Sequence, residues 1–315
     1  MTAAASCWKA TEQDMRHSMP IRDISPAKGF TLVEMVVAIA IAGIVAGMVA
    51  MFIRMPVLAY VDTAARAELT DTADTALRRI ARDVRLALPN SIRRTTDGNQ
   101  VVYLEFLPTK TGGRYLADDD NATTGNILSF TDAAKTSFDL VGPVPIEAQA
   151  IATGDYVVVY NLGPLLNPAN AYDCAGSCNR AEFDSIAGVT ITLKSNPFAS
   201  QAEPKFTSPG NHFHVIAPSP VTYVCNPAAG TLTRISGYTI QASQPDNIAA
   251  SPLSGASKAL LASGVTACEF SYDNAAGSMV SQRSGLVGLG LTLQSKNGNG
   301  TSVSLFQQVH VDNTP

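Results

Sequence analysis

The chain has 315 residues, 46% of them apolar and 15% charged, with a formal net charge of −4 and five cysteines. This mildly acidic balance excludes a global attraction for nucleic acid, which depends on Lys and Arg neutralising phosphates, and leaves only local basic patches open. Residues 1–29 hold four basic residues (Lys9, Arg16, Arg22 and Lys28) and three acids (Glu12, Asp14 and Asp23), so the positive-inside bias is weak. From Phe30 to Ile53 the chain is strongly apolar over 24 residues, and Glu34 is the one ionisable side chain among them. At about 1.5 Å rise per residue a helix of this length spans roughly 36 Å, enough to cross a bilayer core of about 30 Å. A carboxylate inside such a span costs about 2.5–3.5 kcal/mol on insertion scales, so it normally has a partner and a role.

Lys28, the run Gly29-Phe30-Thr31-Leu32-Val33-Glu34 and the apolar helix behind it resemble the prepilin-type signal of type IV pilins and type II secretion pseudopilins. The resemblance implies that a membrane peptidase cuts after Gly29 on the cytoplasmic side and that Phe30 becomes a methylated N-terminus. Glu34 would then pair with the N-terminal amine of a neighbouring subunit. An ordinary secretory signal has a shorter apolar region followed by a small-residue cleavage site. Ala38-Ile39-Ala40 and Ala40-Ile41-Ala42 imitate such a site but lie in mid-run. A simple signal anchor leaves Glu34 unexplained. The expected organisation is a leader at 1–29, a transmembrane and assembly helix at 30–56, an amphipathic periplasmic helix at 57–90 and a globular head at 91–315. The leader is long for the family, and Met15 and Met19 are alternative starts. Its loss takes the net charge from −4 to −5 and removes Cys7.

Pro56 should kink the helix just past the span, because proline removes a ladder hydrogen bond and clashes with the preceding turn. Apolar residues then recur at Leu58, Val61, Ala65, Leu69, Ala73, Leu77, Ile80, Val84 and Leu88, one helical stripe that must dock on something. Arg66, Glu68, Asp71, Asp74, Arg78, Arg79, Arg82, Asp83 and Arg85 form a mixed-charge outer face. The interspersed acids favour a solvated face or subunit contacts over a DNA-binding strip. Leu88-Pro89-Asn90 should end the helix.

From Val101 the period changes to that of strands. Strands are expected at Val101–Leu107, Tyr156–Asn161, Val189–Leu193, Val221–Cys225, Thr231–Ser236, Gly264–Tyr272, Leu286–Leu293 and Ser302–Val311. Lys296–Gly300 should close the last two into a hairpin, and Lys258–Leu261 should form a short helix. The head, about 220 residues, is long enough to bury its own core as one domain with long loops. The fold class expected is therefore α+β, a long N-terminal helix packed on an antiparallel β-rich head.

Cys174, Cys178, Cys225 and Cys268 all lie beyond the apolar span, and an even number in an exported region suggests disulfides formed in an oxidising periplasm. Of the three possible pairings, Cys174–Cys178 as a small pinned loop and Cys225–Cys268 as a clasp between distant strands are favoured. A Zn site is weakly indicated, because C-x₃-C lacks a second close pair. His212 and His214 share a strand face at a spacing able to grip a metal, but no third ligand is evident. Asp118-Asp119-Asp120-Asn121 lacks the spaced pattern of a calcium loop and reads as a solvated turn. Lys296–Gly300 does not begin a helix, which argues against a phosphate loop. No Ser/His/Asp or Cys/His order is legible, so no catalytic residue, metal or cofactor is assigned.

The arm Leu77–Ser91 resembles that of large minor pilins of the J/W type. Gly154–Gly163, Cys178–Ala181 and His310–Asn313 are similar to segments of a minor pilin group of mannose-sensitive haemagglutinin (MSHA) pili. The resemblance implies a non-enzymatic assembly subunit held in the inner membrane with a periplasmic head and later placed in a pilus. Its partners would be major and minor pilins, the prepilin peptidase and the inner-membrane assembly platform. The alternatives are a type II secretion pseudopilin and a tip adhesin or DNA-uptake subunit.

Overall fold

A computed structural model describes residues 29–174, 177–272, 285–295 and 300–314. Residues 1–28 of the expected leader and residues 296–299 of the expected hairpin turn lie outside them. Among the described residues one α-helix, α1 (Leu32–Val84), is followed by fourteen strands arranged in antiparallel sheets, an α+β fold. The chain divides into two compact units, Met1–Leu58 and Ala59–Pro315, so the division falls within α1.

In the first unit α1 starts at Leu32 behind Thr31, whose Oγ1 accepts the Glu34 N–H at 3.2 Å. Thr31 and Glu34 thus hold the N-cap and N3 positions of a capping-box sequence. The apolar segment has a mean hydropathy of 2.8 and buries none of its residues within the chain. The helical span runs through Pro56 without interruption.

In the second unit α1 buries Ala73, Ala76, Leu77, Ile80, Ala81 and Val84. The small residues in this stripe let the helix axis approach the strands beneath. It packs with two sheets in one core. The first has five strands: β1 (Arg93–Thr96), β2 (Val102–Phe106), β9 (Val221–Asn226), β10 (Thr231–Ser236) and β11 (Ser257–Ser263). The second has three: β12 (Val265–Ser271), β13 (Leu286–Gln294) and β14 (Ser302–His310). The chain passes from β11 to β12 through Gly264 alone, at φ 74° with the Gln294 carbonyl 2.6 Å from where a Cβ would stand. Only glycine fits there without a shift.

The other strands close a barrel in the order β3-β4-β7-β6-β5-β8. They are β3 (Thr109–Tyr115), β4 (Ser137–Val141), β5 (Tyr156–Val159), β6 (Arg180–Ala187), β7 (Thr190–Leu193) and β8 (His212–Ile216). Tyr115, Phe138, Phe183, Phe198 and Phe213 fill its interior, as expected for a small barrel whose side chains occupy its volume.

Three expectations need correction. The helix ends at Val84, not near Asn90, because residues 86–88 leave it to pair with the strand connection. Leu88 N donates to the Leu107 carbonyl at 2.7 Å, and Thr109 N to the Leu86 carbonyl at 2.6 Å. Lys258–Leu261 is strand, not helix: it lies in β11 and pairs with β10 from Ser236 to Thr231. Its Lys, Ala and Leu residues favour helix locally, and the neighbouring strand edge outweighs that preference. Finally, β1, β3, β4, β6, β8 and β11 stand beyond the eight strands expected.

Candidate functional site

Gly29, Phe30 and Thr31 precede the helix in non-helical, exposed backbone. Nothing lies within 4 Å of where a Gly29 Cβ would stand, and Phe30 is 80% exposed. A non-helical, exposed segment of this kind is one a protease can bind. Glu34 follows one turn later. Its backbone is capped by Thr31, and its carboxylate has no hydrogen bond or ion pair among the described residues. The N3 position gives an acid there a local benefit, since the helix N-terminus favours negative charge. That local benefit leaves the carboxylate free to take a further partner.

The second half of α1 carries the charge. Asp83 leaves the expected outer face. It accepts the Tyr223 hydroxyl and Arg234 Nε, each at 2.8 Å, and lies 3.2 Å from Arg79. It therefore ties the helix to β9 and β10. Burial and the Asp83 carboxylate together push the Tyr223 hydroxyl upward. Arg78 pairs with Asp74 at 2.7 Å, and Arg66 with Asp62 at 3.0 Å. Val61, expected on the docking stripe, is instead exposed.

The cysteine sulfurs stand at disulfide distance as Cys174–Cys178 and Cys225–Cys268. Cys225 belongs to β9 and Cys268 to β12, so the second pair joins the five-stranded sheet to the three-stranded one.

The acidic run at Asp118–Asp120 forms a single 3₁₀ turn. Asp120 accepts Arg114 and the Ala117 N–H, and Asp119 Oδ1 accepts Asn211 Nδ2 at 2.9 Å. Arg114 holds the Asp120 carboxyl below its usual range. His212 and His214 share the outer side of β8, with Phe213 buried between them. Burial lowers the His214 imidazole, with a smaller contribution from His212. Among the described residues no group of three or more His, Cys, Asp or Glu side chains is placed to hold a metal ion.

The sequence reading missed how its scattered similar segments come together. Asn90, at φ 59°, donates through Nδ2 to the Asn161 carbonyl at 2.9 Å, and its N–H donates to Asn313 Oδ1 at 3.2 Å. Asn161 returns a bond to the Pro89 carbonyl at 2.6 Å and accepts Asn179 Nδ2 at 3.4 Å. The segments after α1, after β5, before β6 and at the C-terminus therefore meet in one knot of side-chain amides. Beside it Arg93 pairs with Glu105 at 2.8 Å, both almost fully buried, and the guanidinium lies 3.7 Å from the Tyr172 ring centroid. The signal in the sequence was four asparagines in otherwise unrelated loops, which no spacing rule connects.

The chain matches the family model described as the prokaryotic N-terminal methylation motif over residues 24–50. The match spans Gly29, Phe30 and Glu34 and supports a type IV pilin-like or pseudopilin protein, with an N-terminal helix that fits inner-membrane anchoring. The same motif suggests a structural subunit. No curated protein and no solved structure matches the chain.

Proposed function

We propose that the chain is a minor pilin of a type IV, MSHA-like pilus. A prepilin peptidase removes residues 1–29 and methylates Phe30, and residues 30–56 hold the product in the inner membrane. The second half of the helix and the head then lie in the periplasm, where both cysteine pairs oxidise. Assembly proceeds when apolar helices bundle and Glu34 neutralises the Phe30 amine of a neighbour, an attraction much less screened in hydrocarbon than in water. The observation that carries this reading is a carboxylate with no partner among the described residues, one turn after an exposed Gly29–Phe30 segment, in an apolar helical stretch that buries none of its residues. The shared motif keeps a type II secretion pseudopilin as the rival, and neighbouring genes separate the two.

The test compares wild type with Glu34→Gln and Glu34→Ala by membrane fractionation and crosslinking to partner pilins. Gln keeps the capping-box chemistry at N3, so a shared defect isolates the charge. Both variants should enter the membrane and be cleaved, and insertion should not weaken when the lone charge is removed. Both should lose crosslinks to other pilins. Undiminished crosslinking would show that Glu34 does not carry assembly.

A further inference from the structure

The outward face of α1 within the second unit is a ridge. From Val61 to Arg85, residues 61, 64, 68, 71, 75, 78, 82 and 85 are all exposed. Steps of three and four place them on one face of the helix. They lie opposite the buried stripe of Ala73, Leu77, Ile80 and Val84.

Charge along the ridge is sorted. Glu68 and Asp71 come first, and Arg78, Arg82 and Arg85 follow. Arg78 is already paired with Asp74. Glu68, Asp71, Arg82 and Arg85 have no hydrogen bond or ion pair among the described residues. The acid pair and the Arg pair share an i, i+3 spacing, and each acid lies 14 residues before its matching Arg. Fourteen residues are two heptads, about 21 Å of helix. Grooves flank the Arg part on both sides. One, about 460 Å³, lies against Phe306 of β14, which is 60% exposed. The other, about 550 Å³, lies against Leu261 and Arg234.

We infer that this ridge docks a second copy of the chain, parallel and displaced by two heptads, so that Glu68 and Asp71 of one copy face Arg82 and Arg85 of the other. The surface is complementary to itself only when shifted. In register it would set like charges against like. Copies inserted through the same N-terminal segment run parallel, which excludes the antiparallel match. A shifted contact of one surface with another is heterologous and repeats without closing, the symmetry of a filament. The inference rests on the pilin reading, and it adds the register and the residues that set it.

The experiment uses two differently tagged full-length chains in a Cys7→Ser background, co-expressed with a prepilin peptidase. One carries Val61→Cys and the other Thr75→Cys, uncharged ridge positions 14 residues apart. Membranes are treated with a short bifunctional thiol reagent. Crosslinking between the tags should exceed by severalfold that of controls with Val61→Cys or Thr75→Cys on both chains. Glu68→Arg with Asp71→Arg on the Val61→Cys chain should abolish it, and Arg82→Glu with Arg85→Glu on the Thr75→Cys chain should restore it. Salt at about 1 M, where the Debye length is roughly 3 Å, should weaken it. Membrane-bound chains that crosslink no better than the controls, or crosslinking indifferent to charge reversal, would overturn the register. Chains missing from the membrane pellet would refute the anchoring beneath it instead.

Discussion

The two halves of α1 are one helix with opposite solutions to the same problem. Up to Ile53 the helix is apolar all round apart from Glu34, buries none of its residues among the described ones and carries a carboxylate with no partner among them. From Ala59 to Val84 it is amphipathic, and its apolar stripe is closed by the sheets of the same unit. A helix that is apolar on every face needs a lipid or protein environment supplied from outside. The first half therefore owes its stability to other molecules and the second to its own head. Substitutions should sort accordingly: those in the second unit cost folding stability, and those in the first cost insertion or assembly.

The largest folding effect is expected at Arg93. Truncation to Ala leaves Glu105 buried and uncompensated, which costs about 3–5 kcal/mol. Urea unfolding of the detergent-solubilised chain measures it. Replacing both partners by apolar residues of similar size should cost much less, and an equal loss would show that the pair contributes more than mutual neutralisation. Next, Ile80→Ala should cost about 2–5 kcal/mol, because Ile80 is fully buried in the helix–sheet core. Ile44→Ala should leave the same transition in place, since Ile44 is 60% exposed. A shift from Ile44→Ala as large as that from Ile80→Ala would break the comparison.

Removing Cys225–Cys268 should cost about 2–4 kcal/mol, and removing Cys174–Cys178 less, because closing a longer loop restricts the unfolded chain more. The first bridge joins residues 43 apart and the second residues 4 apart. Equal losses from Cys225→Ser and Cys174→Ser would refute that ranking. The smallest effect is on pH dependence. Burial pushes Glu105 up to about 7 from 4.5, outweighing the opposing pull of Arg93. A carboxyl raised in the folded state contributes stability below 4.5 that is lost as pH rises to about 7. Glu105→Gln should flatten stability between those pH values, and an unchanged slope would remove Glu105 as its source.

The first half of α1 was legible because its signals are local. A contiguous motif, one charge and a run of apolar residues lie within 26 positions, from Lys28 to Ile53. The docking stripe and eight strands were legible from periodicity. What escaped depends on partners distant in sequence. β11 looks helical until β10 is set beside it. β3, with two Gly, a Lys and an Arg in seven residues, does not read as strand, and it pairs because β8 and β4 are laid beside it. Asp83 reads as one more surface charge until Tyr223 and Arg234 reach it. The amide knot joins Asn90 to residues as far away as Asn313, a connection made by topology alone. The residues proposed for processing and assembly, Gly29, Phe30 and Glu34, needed no such information, because the motif that carries them is contiguous.

The assembly role proposed for the first half depends on where the mature chain begins. Co-expression with a prepilin peptidase, followed by mass spectrometry of the N-terminal peptide of the membrane-bound product, measures this directly. The account requires a start at methylated Phe30 with Glu34 as the fifth residue. A start anywhere from Ala38 to Ala50 would contradict it, since ordinary signal cleavage there would remove Glu34 along with the leader.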